Sequence, residues 1–151
     1  MNDARLRVNF GFAWLLLGLA FGLHIWDLAA HDFLTYYNAT ALALYGHFAI
    51  VPRMDLSIKT WLTAVILINL AFLALTPLAY RNTNWVRPIG CLFAGIAIVE
   101  GIGQILATLR GGTVGSVHFE GVAPGLYTAP LLLICSAFLL RVMRKSVGSA
   151  G

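Results

Sequence analysis

Four stretches of this chain stay apolar for about 20 residues each, the length a helix needs to cross a hydrocarbon core. They run from about Val8 to Leu28, Thr60 to Tyr80, Ile89 to Leu109 and Pro124 to Leu140. Lipid offers no partner to an unpaired backbone amide, so each stretch is expected to be helical. Composition argues the same way. Of the residues, 60% are hydrophobic and 11% charged, whereas a soluble domain uses about a quarter charged residues to cover its surface. The sequence therefore predicts an all-α fold: a polytopic membrane protein with a single transmembrane domain over residues 1–151. Its four spans form a transmembrane helix bundle, with an interfacial segment between helices one and two.

Basic residues orient the spans. Arg5 and Arg7 precede the first, Arg81 and Arg87 lie between the second and third, and Arg141, Arg144 and Lys145 follow the fourth. On the other side Arg53, Lys59 and Arg110 are mixed with Asp32, Asp55 and Glu120. The positive-inside rule then puts both termini in the cytoplasm, and a bacterial inner membrane is the expected location. A cleaved secretory leader is the competing reading of the first span. The run is longer than a usual leader core, and Leu28 stands where a small residue is needed, so a retained helix and an intact Met1 are expected. Such clustering of charge is a topology signal and predicts no nucleic-acid partner. Cys91 and Cys135 fit no metal spacing and read as small buried hydrophobes.

Residues 33–57 form the one long connection. From Thr35 to Val51 the residues Tyr36, Tyr37, Asn38, Tyr45 and His47 alternate with apolar ones and end at Pro52. Aromatics of this kind favour the headgroup level, which predicts a short interfacial helix or a re-entrant segment. Asn38-Ala39-Thr40 matches a glycosylation sequon with no secretory context to support it. The second outer loop, Gly111 to Val122, is glycine-rich and ends at Pro124-Gly125.

Ionisable groups inside a span cost about 2.5–3.5 kcal/mol each near the bilayer centre, so they mark a function or a strong pairing. On the first helix His24, Asp27 and His31 fall at i, i+3, i+7, within an arc of roughly 60° at about 100° per residue. On the third, Glu100 and Gln104 share a face with Gly103 and Ala107, a small-residue stripe expected to admit a neighbouring helix. Since the third helix runs back outward, Gln104 is expected at the depth of His24, with Glu100 a turn deeper. Tyr127 and Thr128 open the fourth span at the same end. His118, Glu120 and His47 in the outer loops are further candidates. No Lys or Arg lies within the spans to pair with Glu100, so its expected partner is His24 or His31. Asp27 is expected to pair with His24 or Arg110. Asn69 reads as an interhelical hydrogen bond, and Gly18 and Gly22 as packing contacts.

Three short stretches carry a family resemblance: His24-Ile25-Trp26-Asp27-Leu28, Glu100-Gly101-Ile102-Gly103-Gln104-Ile105 and Pro124-Gly125-Leu126-Tyr127-Thr128-Ala129. Together with four spans they resemble the HXXEE-domain membrane proteins. Where that family has paired glutamates this chain has Asp27 and Leu28. Where its third helix carries an Asn and then a His four residues on, this chain has Glu100 and Gln104. One carboxylate looks relocated from the first helix to the third, as in a divergent member. The resemblance implies a fold and a site, not a reaction.

The expected function is that of an intramembrane enzyme, of isomerase or lyase type, doing acid–base chemistry on a lipophilic substrate such as an isoprenoid, sterol or lipid. Isomerisation, cyclisation or hydration needs one proton donor and one acceptor on a shielded face. His24, Asp27, Glu100, Gln104 and His31 are the catalytic candidates. Trp26, Tyr127, Thr128, His47 and Tyr45 are candidates for contact with the substrate. No cofactor is expected. A metal held by His24, Asp27, His31 and Glu100 is the variant reading, opposed by the roughly 10 Å along the axis between i and i+7. The non-enzymatic alternative is a binding, transport or accessory subunit whose polar cluster holds helices or a ligand. Transport would require a homo-oligomer, because four helices leave little room for a pathway. Gly101 and Gly103 inside a span make no phosphate loop.

Overall fold

The structure, a computed structural model, describes residues 3–47, 56–111, 113–114, 117–118 and 122–147. Six helices follow in order: α1 (Asp3–Ala30), α2 (Phe33–His47), α3 (Ile58–Ala74), α4 (Thr76–Tyr80), α5 (Val86–Leu109) and α6 (Ala129–Val147). The one departure from all-helical architecture among the described residues is a two-rung antiparallel ribbon before α6, β1 (Thr113–Val114) with β2 (Val117–His118). Three segments are long and apolar enough to cross a membrane: Asn9–Ala30, Ile58–Tyr80 and Val86–Leu109. That length and composition are those of an integral membrane protein.

The helix boundaries differ in places from the sequence expectation, with α1 starting at Asp3 and α5 at Val86. The fourth helix begins at Ala129 and not at Pro124, because Gly125 adopts a φ of +85° that ends any helical continuation. Arg141, Arg144 and Lys145 occupy its last turns, leaving only 129–140 as its apolar part. The second span is interrupted at Leu75. Pro77 has no N–H and its ring crowds the preceding turn. The long connection holds a regular helix, α2, from Phe33 to His47, while 48–55 lie outside the described residues. Asp32, at φ 51°, makes the left-handed turn that reverses the chain after α1.

The central element is α1. Phe10, Trp14, Leu17, Phe21, His24 and Leu28 are all buried, spaced alternately four and three residues apart, which is the seam of a packed bundle. Ala13, Ala20 and Asp27 flank that seam and are buried too. On α5 the buried line is Val86, Gly90, Ala94, Ala97, Gly101 and Gln104, small residues that let a neighbouring backbone come near. Gly101 meets the Leu133 side chain and the Ala129 carbonyl of α6, and Gly90 meets Trp14 of α1 and Leu139 of α6. The expected stripe at Gly103 is a correction: nothing lies within 4 Å of a Cβ built there. Two residues further along the helix carries it roughly 200° away from Gly101.

An aromatic column ties the helices together. Trp14 stacks on Phe72 with ring centroids 4.0 Å apart, and Phe72 stacks on Phe93 of α5 at 3.9 Å. At the break in the second span the Phe72 carbonyl accepts from Leu75 N–H at 3.2 Å and from the Trp14 indole at 2.9 Å. Gly18 packs on Leu73 and Gly22 on Asn69, as expected. Asn69 is buried, but its Oδ1 has no hydrogen-bond partner among the described residues. Outward faces are apolar, with Leu67, Ile68 and Leu70 on α3 and Leu92, Val99 and Leu106 on α5 all exposed. A contiguous apolar surface of that kind suits lipid and not water.

A Cβ at position 90 would sit 2.9 Å from the Trp14 ring, which is fully buried and stacked. Gly90→Ala is therefore expected to lower the melting temperature of the detergent-solubilised protein by several degrees. Gly95→Ala on the same helix, where nothing lies within 4 Å, is expected to leave it unchanged or raise it slightly. Equal melting of the two variants would contradict the packing described.

Candidate functional site

On α1, His24 takes a seam position where the repeat otherwise places apolar side chains, and Asp27 flanks that seam beside it, so both are turned inward. His24 is wholly buried and Asp27 nearly so. The segment that leads into α6 dips into the bundle to meet them. Ala123, Pro124 and Gly125 are buried. The Thr108 hydroxyl ties this descent to α5, donating to the Gln104 carbonyl at 2.9 Å and accepting from Ala123 N–H at 3.0 Å. Gly125 lies against the Gln104 amide, and a Cβ there would come within 2.6 Å of it. Besides its positive φ, this close approach is why the position needs glycine.

Thr128 precedes α6 and joins it to Asp27. Its N–H and its hydroxyl both donate to Asp27 Oδ2, at 3.1 and 2.8 Å. The carboxylate thereby caps α6 from another helix, satisfying an amide that has no intrahelical partner and facing the positive end of the helix dipole. The other carboxylate oxygen faces His31, whose Nδ1 lies 2.8 Å from Oδ1 and 2.9 Å from the Asp27 carbonyl. A carbonyl oxygen only accepts, so His31 Nδ1 carries the hydrogen. Asp27 thus receives three donors.

The same logic assigns His24. Thr128 spends its hydroxyl hydrogen on Asp27, so its oxygen accepts from His24 Nδ1–H at 2.7 Å. The His24 Nε2 lies 3.1 Å from the Gln104 amide nitrogen and 3.7 Å from Glu100 Oε1. The Gln104 Oε1 has no hydrogen-bond partner among the described residues. A polar chain therefore runs from Gln104 through His24 and Thr128 to Asp27 and His31, joining α5, α1 and the start of α6.

Glu100 differs from the rest. It immediately precedes Gly101 in the buried line of α5, so it stands at the edge of the seam with a quarter of its side chain exposed. It lines a groove of about 1190 Å³ between α5 and α2. The α5 wall includes Leu92, Ile96 and Val99, and the α2 wall is Phe33, Tyr37 and Thr40. Glu100 is the one ionisable side chain among these apolar and weakly polar walls, apart from the thiol of Cys91 and the phenol of Tyr37.

Of the residues named from sequence, His24, Asp27, His31, Glu100, Gln104 and Thr128 come together. Tyr127 is exposed beside them, its ring 5.5 Å from that of His31. Trp26 is 69% exposed, roughly 200° around α1 from His24. Tyr45 and His47 are exposed near the end of α2, and neither lines the groove. Arg110 is exposed, and the partners of Asp27 are Thr128 and His31. His118 ends β2, and Glu120 lies outside the described residues. Among the described residues no three His, Cys, Asp or Glu side chains are grouped as a metal site requires. Sequence reasoning missed the α2 wall. Phe33, Tyr37 and Thr40 fall at i, i+4, i+7 and so share one helical face, a spacing visible in the residues themselves.

No family model, curated protein or solved structure matches the chain.

If Asp27 caps α6 as described, Asp27→Asn leaves an amide facing donors. It is expected to reduce unfolding free energy in detergent by about 1.5–3 kcal/mol, the range for a hydrogen bond to a charged group. Trp26→Leu, on the exposed side, is expected to change it by less than about 0.5 kcal/mol. Chemical denaturation followed by tryptophan fluorescence and circular dichroism measures both.

Proposed function

We propose that this chain is an intramembrane enzyme of isomerase or lyase type, acting by acid–base chemistry on a lipophilic substrate held in the groove between α2 and α5. One observation carries the reading: Glu100 lines that apolar groove while its carboxyl lies 3.7 Å from Nε2 of a buried histidine. A carboxyl at the wall of an apolar cavity can take an allylic proton from an isoprenoid, sterol or other unsaturated lipid. The electron pair shifts the double bond, and the same carboxyl returns the proton to the far carbon. Isomerisation by this route consumes no co-reactant, whereas hydration would consume one water, adding its hydroxyl to one carbon and a proton to the other. His24 accepts or returns a proton at Nε2, and Thr128 and Asp27 hold its ring in the required tautomer. In this reading Glu100 touches substrate, whereas Asp27, Thr128, Gln104 and His31 are positioning residues.

The second reading is a non-catalytic binding or accessory subunit. It is favoured by the closure of His24, Asp27, Thr128 and Gln104 on one another, since a network so buried also serves simply to lock α1, α5 and α6. Under that reading the groove holds a lipid without changing it.

The same proposal includes the setting. Antiparallel packing of α6 along α5, from Gly101 near Ala129 to Gly90 near Leu139, supports α6 as a fourth crossing. The tyrosines of α2, Tyr36, Tyr37 and Tyr45, suit the headgroup level and support an interfacial helix. Arginines 81, 87, 141 and 144 belong to one end of the bundle, which supports cytoplasmic termini in a bacterial inner membrane.

Lipid extracts of cells making the wild-type chain, Glu100→Gln or His24→Ala test the reading by mass spectrometry. The wild type is expected to deplete one lipophile and accumulate an isomer or a hydration product. Glu100→Gln is expected to reduce that conversion by about 10²-fold or more, the usual worth of a general acid or base, while reaching the membrane in equal amount. Identical lipid profiles for wild type and Glu100→Gln would leave the binding-subunit reading standing instead.

A further inference from the structure

At the far end of α5 from Gln104, a second groove of about 410 Å³ lies between α5 and α6, lined by Arg87, Pro88, Cys91, Leu140, Met143 and Arg144. Its composition is uneven in an informative way. Two guanidinium groups border it, and the other four residues offer apolar or weakly polar walls. Arg87, Pro88 and Cys91 lie on the first turns of α5, and Leu140, Met143 and Arg144 fall at i, i+3, i+4 on α6, so each helix contributes one arginine above an apolar face.

Among the described residues neither arginine is neutralised. The ion pairs there are His24 with Glu100 and His31 with Asp27, both at the opposite end of the bundle. Arg87 donates Nε–H and Nη2–H to the Asn82 side-chain oxygen at 3.3 and 2.9 Å. That partner is neutral. It fixes the guanidinium in place and leaves its charge, and its remaining donors, for something else. Two guanidiniums bordering one cavity suit a phosphate, whose oxygens accept paired N–H donors from such forks. Free phosphate would leave the walls of Pro88, Cys91, Leu140 and Met143 unused.

We propose that this groove is a binding site for an anionic phospholipid, the phosphate held between Arg87 and Arg144 and the first part of an acyl chain lying along Leu140, Met143 and Cys91. The volume fits a headgroup and the start of a chain rather than a whole lipid. Pro88 and Cys91 also line the larger groove, so the chain leaves the site along an apolar surface already exposed on α5. This site does not depend on any reaction at Glu100.

The test uses the purified full-length protein in a neutral detergent, titrated with phosphatidylglycerol, phosphatidylcholine or inorganic phosphate. Retained lipid is read by native mass spectrometry and stabilisation by thermal melting. Phosphatidylglycerol is expected to bind at roughly tenfold lower concentration than phosphatidylcholine and to raise the melting temperature. Arg144→Gln is expected to abolish that tenfold preference, and Leu140→Trp, which fills the groove and keeps both charges, to weaken retention of the phospholipid about tenfold. Arg141→Gln, exposed and outside the groove, is expected to retain the wild-type preference. Because Arg87 also braces Asn82, the decisive variants are those at Arg144 and Leu140. The proposal fails if Arg144→Gln keeps the preference, or if Arg141→Gln loses as much as Arg144→Gln, which would mean diffuse attraction by a basic surface. It fails equally if Leu140→Trp binds the phospholipid as well as wild type, or if inorganic phosphate protects as well as the phospholipid does.

Discussion

The contact on which the rest of this structure depends is the one between the Asp27 carboxylate and the N–H and hydroxyl of Thr128. A helix that begins inside a bundle exposes amides that neither water nor lipid can satisfy, and each costs several kcal/mol if left bare. Here the start of α6 is supplied from outside, by a buried acid of α1 that flanks its packed seam. The favourable direction of the helix dipole and three hydrogen-bond donors compensate the buried charge. Without that cap α6 would have no reason to start at this depth, and Pro124-Gly125 would have no reason to descend to it.

From that anchor the polar chemistry divides into two parts with different consequences. The inner part, Gln104–His24–Thr128–Asp27–His31, is nearly closed on itself, and its hydrogen bonds assign a hydrogen to each imidazole Nδ1. Tautomer and orientation of His24 are therefore set by a residue two contacts away. The outer part is Glu100 alone, one residue off the seam, turned toward the apolar groove. A relay with a rigid buried end and one group facing a cavity is the arrangement a proton-transfer site requires. The same closure would also serve a structural lock, which is why the side chain at the groove distinguishes the readings and the buried network does not.

Helix packing explains why the groove exists. The small residues of α5, Gly90 to Gly101, commit that helix to α1 and α6, so its opposite face remains unpaired within the chain. After the turn at Asp32, α2 lies beside α5 without packing closely on it. What remains between α2 and α5 is apolar space rather than a packed interface. At the other end of α5 the short apolar part of α6 brings Arg144 opposite Arg87, where a longer apolar helix would have carried its arginines past the groove.

Much of the fold was legible in the residues themselves, because lipid imposes hydrogen-bond closure and hydrophobic length on any chain that enters it. The three long apolar helices, the burial of His24 and Asp27, and the packing roles of Gly18 and Gly22 all follow from spacing. The absence of any basic residue in the spans left His24 or His31 as the partner of Glu100, and the packing brings His24 to it. Other features required the tertiary structure. Gly125 is a local reason for α6 to start after Pro124, but what makes a start at Ala129 tolerable is a carboxylate about a hundred residues away. Nor does the pattern of α5 alone tell Gly101, pressed on α6, from Gly103, facing outward: both are small, and only the neighbour's position separates them. Local residue chemistry determined which groups had to be buried and satisfied. Which groups satisfied them, and which one was left facing open space, depended on how distant helices packed, because hydrogen bonds and cavities belong to pairs of surfaces and not to single segments.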